Sequence, residues 1–221
     1  MVASSPTPNR VKETWGPEII KIEIDEVTQA IKDVPEDDLL ITLDSLTSGA
    51  SLILEPSKLD LENNVRIYLV LKDIINKYKL DALTIRCFDL VLDFKTTGCF
   101  GLAQLNDEGC IAGCEGDLDS TVGMLWIHQL LDQIPWMANQ AQLNEDENTL
   151  WLAHCTVPRN LVDNYTLRSH FESGLGVGIQ GEFEMGPVTL IRIGGKKMNK
   201  IWLAEGNIIQ TGNSEHLCRT Q

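Results

Sequence analysis

Between Asp60 and Lys79 the residues Leu61, Val65, Leu69, Ile74, Ile75 and Tyr78 recur mostly at three- and four-residue spacings, the pattern of an amphipathic helix. Ala82-Leu83-Thr84-Ile85-Arg86-Cys87 follows at once as an apolar run of strand length. A helix-like run from Gly98 to Asn106, a turn at Asn106-Asp107-Glu108-Gly109 and a short buried strand from Cys110 to Cys114 come next. A further helix is expected from Asp117 to Leu131, with Leu118, Val122, Leu125, Trp126 and Leu130 on one face. Strand, helix, strand, helix in this order restricts the chain to an α/β fold containing a partial parallel sheet with crossover helices.

Outside this block the texture differs. Residues 1–17 are polar and carry Pro6, Pro8 and Pro17, which reads as an extended lead-in. Ile19 to Ile24 alternates apolar and charged residues as a half-buried strand does, Asp25 can cap a short helix, and Leu39 to Leu43 is another short apolar run. After Pro135, short strand-like runs at Trp136 to Leu143, Thr149 to Cys155, Gly176 to Phe183, Val188 to Ile193 and Ile201 to Ala204 are separated by Asn, Gly and Pro. The expected organisation is a lead-in (1–17), an α/β domain (18–135) and a mainly antiparallel β-sheet or β-barrel half (136–221).

Composition narrows the function. A net charge of -14 over 221 residues argues against a nucleic-acid partner, whose affinity rests on Lys and Arg replacing counterions. No stretch approaches the roughly 18 to 20 uninterrupted apolar residues of a membrane span, and the N-terminus has no charged-then-apolar leader pattern. A cytoplasmic protein is expected, with Cys87, Cys99, Cys110, Cys114, Cys155 and Cys218 reduced and buried rather than paired.

Glu115 stands at the carboxyl end of an apolar strand and just before a helix, where open α/β sheets place their ligand sites. The alternative is that Glu115-Gly116-Asp117 only caps the helix. Asn139, His154, and His170 with Glu172 form a second group whose imidazole and carboxylate chemistry suits a first-row divalent metal. Against that, a separation of sixteen positions between the two histidines matches no compact metal motif. An iron-sulfur or zinc site on Cys87, Cys99, Cys110 and Cys114 is disfavoured because the four thiols fall in separate expected elements. Gly174-Leu175-Gly176-Val177-Gly178 and Gly194-Gly195 lack the strand and helix of a phosphate loop and read as tight turns. Trp136 or Trp151 offers an apolar face to a sugar ring.

Taken together, Ala-Gly-Cys-Glu-Gly-Asp (112–117), Leu-Ala-His-Cys-Thr-Val-Pro (152–158), Ser-His-Phe-Glu-Ser-Gly (169–174) and Gly-Val-Gly-Ile-Gln-Gly-Glu (176–182) resemble the L-fucose isomerase-like family. Pro-Val-Thr-Leu-Ile-Arg-Ile-Gly-Gly (187–195) and Leu-Ala-Glu-Gly (203–206) extend the likeness over roughly the last 130 residues. The resemblance implies a metal-dependent aldose–ketose sugar isomerase working through an ene-diol, with Glu115 as metal ligand and acid/base and a divalent cation, Mn by preference, as cofactor. Asn139 stands where the family has its second carboxylate, and the third ligand, a histidine in an Asn-His segment, falls beyond Gln221. The family's N-terminal domain is also not in this sequence, and the β-rich half is expected to continue past residue 221. His154, His170 and Glu172 are then expected to orient sugar hydroxyls or to hold a remodelled metal site. The expected partners are a small-molecule sugar and further copies of the chain, with no nucleic acid and no membrane. The second reading is a non-catalytic sugar-binding or assembly remnant of that family.

Overall fold

A computed structural model describes residues 6–221. In chain order the first elements are α1 (Pro8–Trp15), α2 (Ile24–Lys32), α3 (Glu36–Thr47), β1 (Leu52–Ile53) and α4 (Lys58–Tyr78). The central ones are β2 (Ala82–Thr84), α5 (Cys87–Phe94), α6 (Cys99–Asp107), β3 (Ile111–Gly113) and α7 (Leu118–Leu131). The last are β4 (Asn139–Asn144), β5 (Thr149–Ala153), β6 (Asn164–Arg168), β7 (Gly178–Glu182), β8 (Gly186–Gly194) and β9 (Lys200–Ile208).

β2 and β3 run parallel with Leu83 opposite Ala112, and α5 and α6 make the crossover between them. β1 lies parallel to β6, which pairs antiparallel with β7, while β4–β5 and β8–β9 are antiparallel hairpins. The architecture is therefore α/β, a parallel pair with crossover helices followed by mainly antiparallel strands. The sheets are open and no closed barrel forms among the described residues. No helix of the described residues is long and apolar enough to cross a membrane.

The expected helix at Asp60 to Lys79 is α4, started by a capping box: Ser57 Oγ accepts from the Asp60 amide at 3.2 Å and Asp60 Oδ2 from the Ser57 amide at 2.9 Å. Against it lies α6, buried from Cys99 to Asn106 and forming the centre of the main core with Leu71, Ile111, Leu167 and Ile179. Gly101 permits the approach, since a Cβ there would stand 3.2 Å from the Tyr68 Cα. Asn106 then ties α6 to β3: its amide donates to the Ala112 carbonyl at 2.8 Å and its Oδ1 accepts from the Ala112 amide at 2.9 Å. This reciprocal pair fixes the strand from which the Glu115 turn emerges.

Several local expectations differ from the structure. The lead-in is helical from Pro8, because proline is preorganised for the first helical position, Thr7 caps it, and Gly16 closes it at φ 93°. Residues 1–5 of that segment lie outside the described residues. The helix α1 is docked: Trp15 Nε1 donates to the Met198 carbonyl at 2.8 Å, and Val11 packs with Val122, Ile193 and Met198 in a second small core. Residues 19–24 form no strand, and the run at 39–43 lies inside α3, whose first turn carries Glu36, Asp37 and Asp38 at the electropositive end. The strand expected at 82–87 stops at Thr84, and Cys87 opens α5 instead. β6 and β1 had no period to reveal them.

Candidate functional site

The turn after β3 is held from three sides. The Asp117 amide donates to the Cys114 carbonyl at 3.1 Å, the Gly116 amide to the Ile85 carbonyl at 2.9 Å, and Thr84 Oγ1 to the Cys114 carbonyl at 3.3 Å. Glu115 and Gly116 adopt consecutive left-handed conformations, φ 60° and φ 68°. For Gly116 this is free; for Glu115 it is a cost that surrounding contacts must sustain, as happens at ligand sites and tight turns. Asp117 caps α7, its Oδ1 accepting from the Ser120 amide at 2.9 Å, and pairs at 3.2 Å with Arg192 of β8. The capping expected of this turn is thus present, and Asp117 supplies it.

The Glu115 carboxyl is half-buried. Burial first, then the negative charges of Asp117 and Glu172, push its pKa above the usual carboxylate range, and His170 acts the other way. His170 and Glu172 therefore lie within electrostatic reach of Glu115. His170 is half-buried, its Nδ1 3.1 Å from Ser173 Oγ, and its carbonyl accepts from the Gly174 amide at 2.8 Å. Glu172 is exposed on the intervening turn. His154 lies deeper, 3% exposed; burial lowers its pKa and keeps it neutral, and its Nδ1 is 2.8 Å from Thr156 Oγ1. Its backbone pairs with Thr220 and its ring is within electrostatic reach of His170.

Asn139 opens β4, exposed, opposite Ala153. Its segment meets the Glu115 turn through Met137, whose sulfur accepts from the Cys114 amide at 3.4 Å. Among the described residues no group of three or more His, Cys, Asp and Glu side chains is arranged to hold a metal ion. Trp136 stacks at a tilt on Phe183, ring centres 4.9 Å apart, with its indole nitrogen buried.

Sequence reasoning missed three features here. Arg192 reaches the start of α7 from β8, 75 residues away. Asp119 has one buried oxygen, and burial first, then Asp117, raises its pKa. Of the four thiols that fall in separate elements, Cys87, Cys99 and Cys114 are brought beside other thiols by tertiary packing and Cys110 is not. Cys87 and Cys114 have sulfurs 2.6 Å apart, and the thiols of Cys218 and Cys99 donate to Cys155, which also accepts from the Arg219 amide at 3.4 Å. Those bonds lower the Cys155 pKa and raise those of its two partners. The one available signal was that Cys114 adjoins Glu115.

No family model matches the chain. It is 25% identical over 129 residues to the sulfoquinovose isomerases of Priestia aryabhattai and Priestia megaterium, and 29% identical over 125 residues to that of a Clostridium species. Each match covers 56% of this chain, but only 29%, 29% and 26% of those proteins. The chain thus resembles part of proteins named as sugar isomerases.

Proposed function

We propose that this chain is the glutamate-bearing segment of a metal-dependent aldose–ketose sugar isomerase of the L-fucose isomerase-like type, with Glu115 as its proton carrier. The observation that carries this reading is the Glu115 carboxyl itself: half-buried, held at φ 60° at a strand-to-helix turn, and raised in pKa by burial and by its acidic neighbours. A carboxyl moved toward neutrality is better matched to taking and returning a proton at physiological pH. The relatives named as sugar isomerases support the same class of substrate.

In this reading Glu115 takes the proton from the carbon beside the carbonyl of an open-chain sugar and returns it to the neighbouring carbon, passing through an ene-diol. His170 and Glu172 orient hydroxyls beside it, and neutral His154 supports them from below. A divalent cation such as Mn2+ would polarise the carbonyl, with Glu115 and Asn139 as its donors. These two residues do not fit such an ion as a set: Asn139 brings no charge and is exposed on a hairpin, and no third donor joins them among the described residues. The proton transfer is accordingly assigned to Glu115 alone.

The test is proton exchange in D2O with sulfoquinovose and a panel of deoxy-sugars, with and without Mn2+, followed by NMR. Deuterium should enter at the carbon beside the carbonyl, and Glu115→Gln should lower the rate by about 100-fold or more. Undiminished exchange in that variant refutes the reading. The second reading, a non-catalytic sugar-binding or assembly remnant, is favoured by Asn139 standing where the resemblance calls for a carboxylate. Sugar binding by calorimetry without exchange in either form would select it.

A further inference from the structure

Cys87 opens α5 and Cys114 follows β3, 27 positions apart, with their sulfurs 2.6 Å from each other. A disulfide needs about 2.05 Å, so the pair stands about half an ångström from bonding distance. Their backbones are already clamped: the Gly116 amide donates to the Ile85 carbonyl and Thr84 Oγ1 to the Cys114 carbonyl. All six cysteines are free thiols. We propose that Cys87 and Cys114 are a reversible dithiol–disulfide pair, oxidised by small hydroperoxides, whose bond pins the turn carrying Glu115 to the junction of β2 and α5.

Access and proximity set the order of events. Cys87 is 8% exposed and Cys114 4%, so a hydroperoxide meets Cys87 first and a bulky disulfide oxidant is hindered. The Cys87 sulfur attacks the O–O bond, becoming a sulfenic acid and releasing water from hydrogen peroxide. The Cys114 sulfur then attacks the sulfenic sulfur, the S–S bond forms, the S–O bond breaks, and a second water carries away the Cys114 proton. Two thiols and one peroxide thus give one disulfide and two waters. Cys110 and Cys218 are more exposed, but Cys110 makes no contact with another sulfur among the described residues and Cys218 is engaged with Cys155. The readout is sulfur chemistry, so the proposal stands independently of the assignment of Glu115 to a sugar.

The whole chain, in a Cys110→Ser background so that residues 109–115 carry one sulfur, is exposed to hydrogen peroxide under native conditions. It is then weighed intact before and after alkylation, and mapped after double digestion. Before alkylation the expected product is about 2 Da lighter than the starting chain and returns to its mass with dithiothreitol; after alkylation it carries two fewer alkyl groups than the untreated chain and links the Cys87 peptide to the Cys114 peptide. Further Cys87→Ser or Cys114→Ser exchange should each cut the linked product at least about tenfold. Crosslinks mapping mainly to Cys155–Cys218 or Cys99–Cys155 overturn the proposal. So does Cys87 sulfinic acid with Cys114 still alkylatable, or full alkylation of both. The map of the Cys110→Ser chain alone decides if a further serine variant does not fold.

Discussion

Glu115→Gly should make the protein more stable while removing its candidate base. Glu115 sits at φ 60°, where a side chain bearing a Cβ costs about 1–2 kcal/mol relative to the right-handed region. Glycine removes that cost but gives the unfolded chain extra freedom, offsetting about 0.5–1 kcal/mol. The backbone balance is therefore a gain of about 0.5–1 kcal/mol, which for a chain of 221 residues corresponds to a rise in Tm of about 1–4 °C. Glu115→Asn, a residue that tolerates this conformation without glycine's entropy, should move the same way.

Charge adds to the gain, and its pH dependence separates the two contributions. The folded pKa of Glu115 is raised above its unfolded value of 4.5 by burial, then by Asp117 and Glu172. Between the two values the folded state holds more protons than the unfolded one, so this carboxyl makes stability fall as pH rises through that window. Below pH 4.5 the penalty is absent; above the folded value it is complete. Neither variant carries the group, so the gain over the natural chain should be larger at pH 7 than at pH 4, where only the backbone part remains. Calorimetric melting of both variants at the two pH values measures this. A lower Tm at pH 7, or a gain that shrinks from pH 4 to pH 7, would show that the carboxylate is stabilised where it lies and that the reasoning about the turn is wrong.

Two further substitutions test the supports of the site. Gly113→Ala places a Cβ 3.1 Å from the Thr121 Cβ and nearer still to its hydroxyl, which is held at 2.7 Å on the Asp117 carbonyl. Urea unfolding should show a loss of about 1–3 kcal/mol, and Thr121→Ala in the same chain should recover part of it; an unchanged midpoint in the single variant would mean that α7 shifts freely on β3. Glu55 accepts from Arg168 Nε at 2.7 and 2.8 Å and from the Ser169 amide at 3.2 Å, so its pKa lies below 4.5. That stability is fully present above pH 4.5 and is lost as pH falls through the folded value. Glu55→Gln should thus flatten the acid limb of the stability curve, and an acid limb of unaltered slope would remove Glu55 as a contributor.

What the sequence made visible follows from the range over which each cause acts. Helix α4 and helix α7 were legible because an apolar face repeats within one segment, and β3, β8 and β9 because short apolar runs end at turn residues. β1 was not, since its two residues are strand only by virtue of Thr166 and Leu167, more than a hundred positions away. The prolines near the start misled for a different reason: the same residue that breaks a helix interior begins a helix, and only Trp15 meeting Met198 shows which role applies. At the site, spacing could identify a carboxylate at the end of a strand, but it equally allowed a mere helix cap. In three dimensions Asp117 takes the cap and Arg192, as the capping alternative has it, while Glu115, one peptide beyond Cys114, is turned into the left-handed region within electrostatic reach of His170 and Glu172. A chain that only needed to start α7 had Asp117 for that purpose. The strained, half-buried glutamate two residues earlier is a separate expense of the fold that capping α7 does not explain, which is the ground on which the proposed role of Glu115 rests.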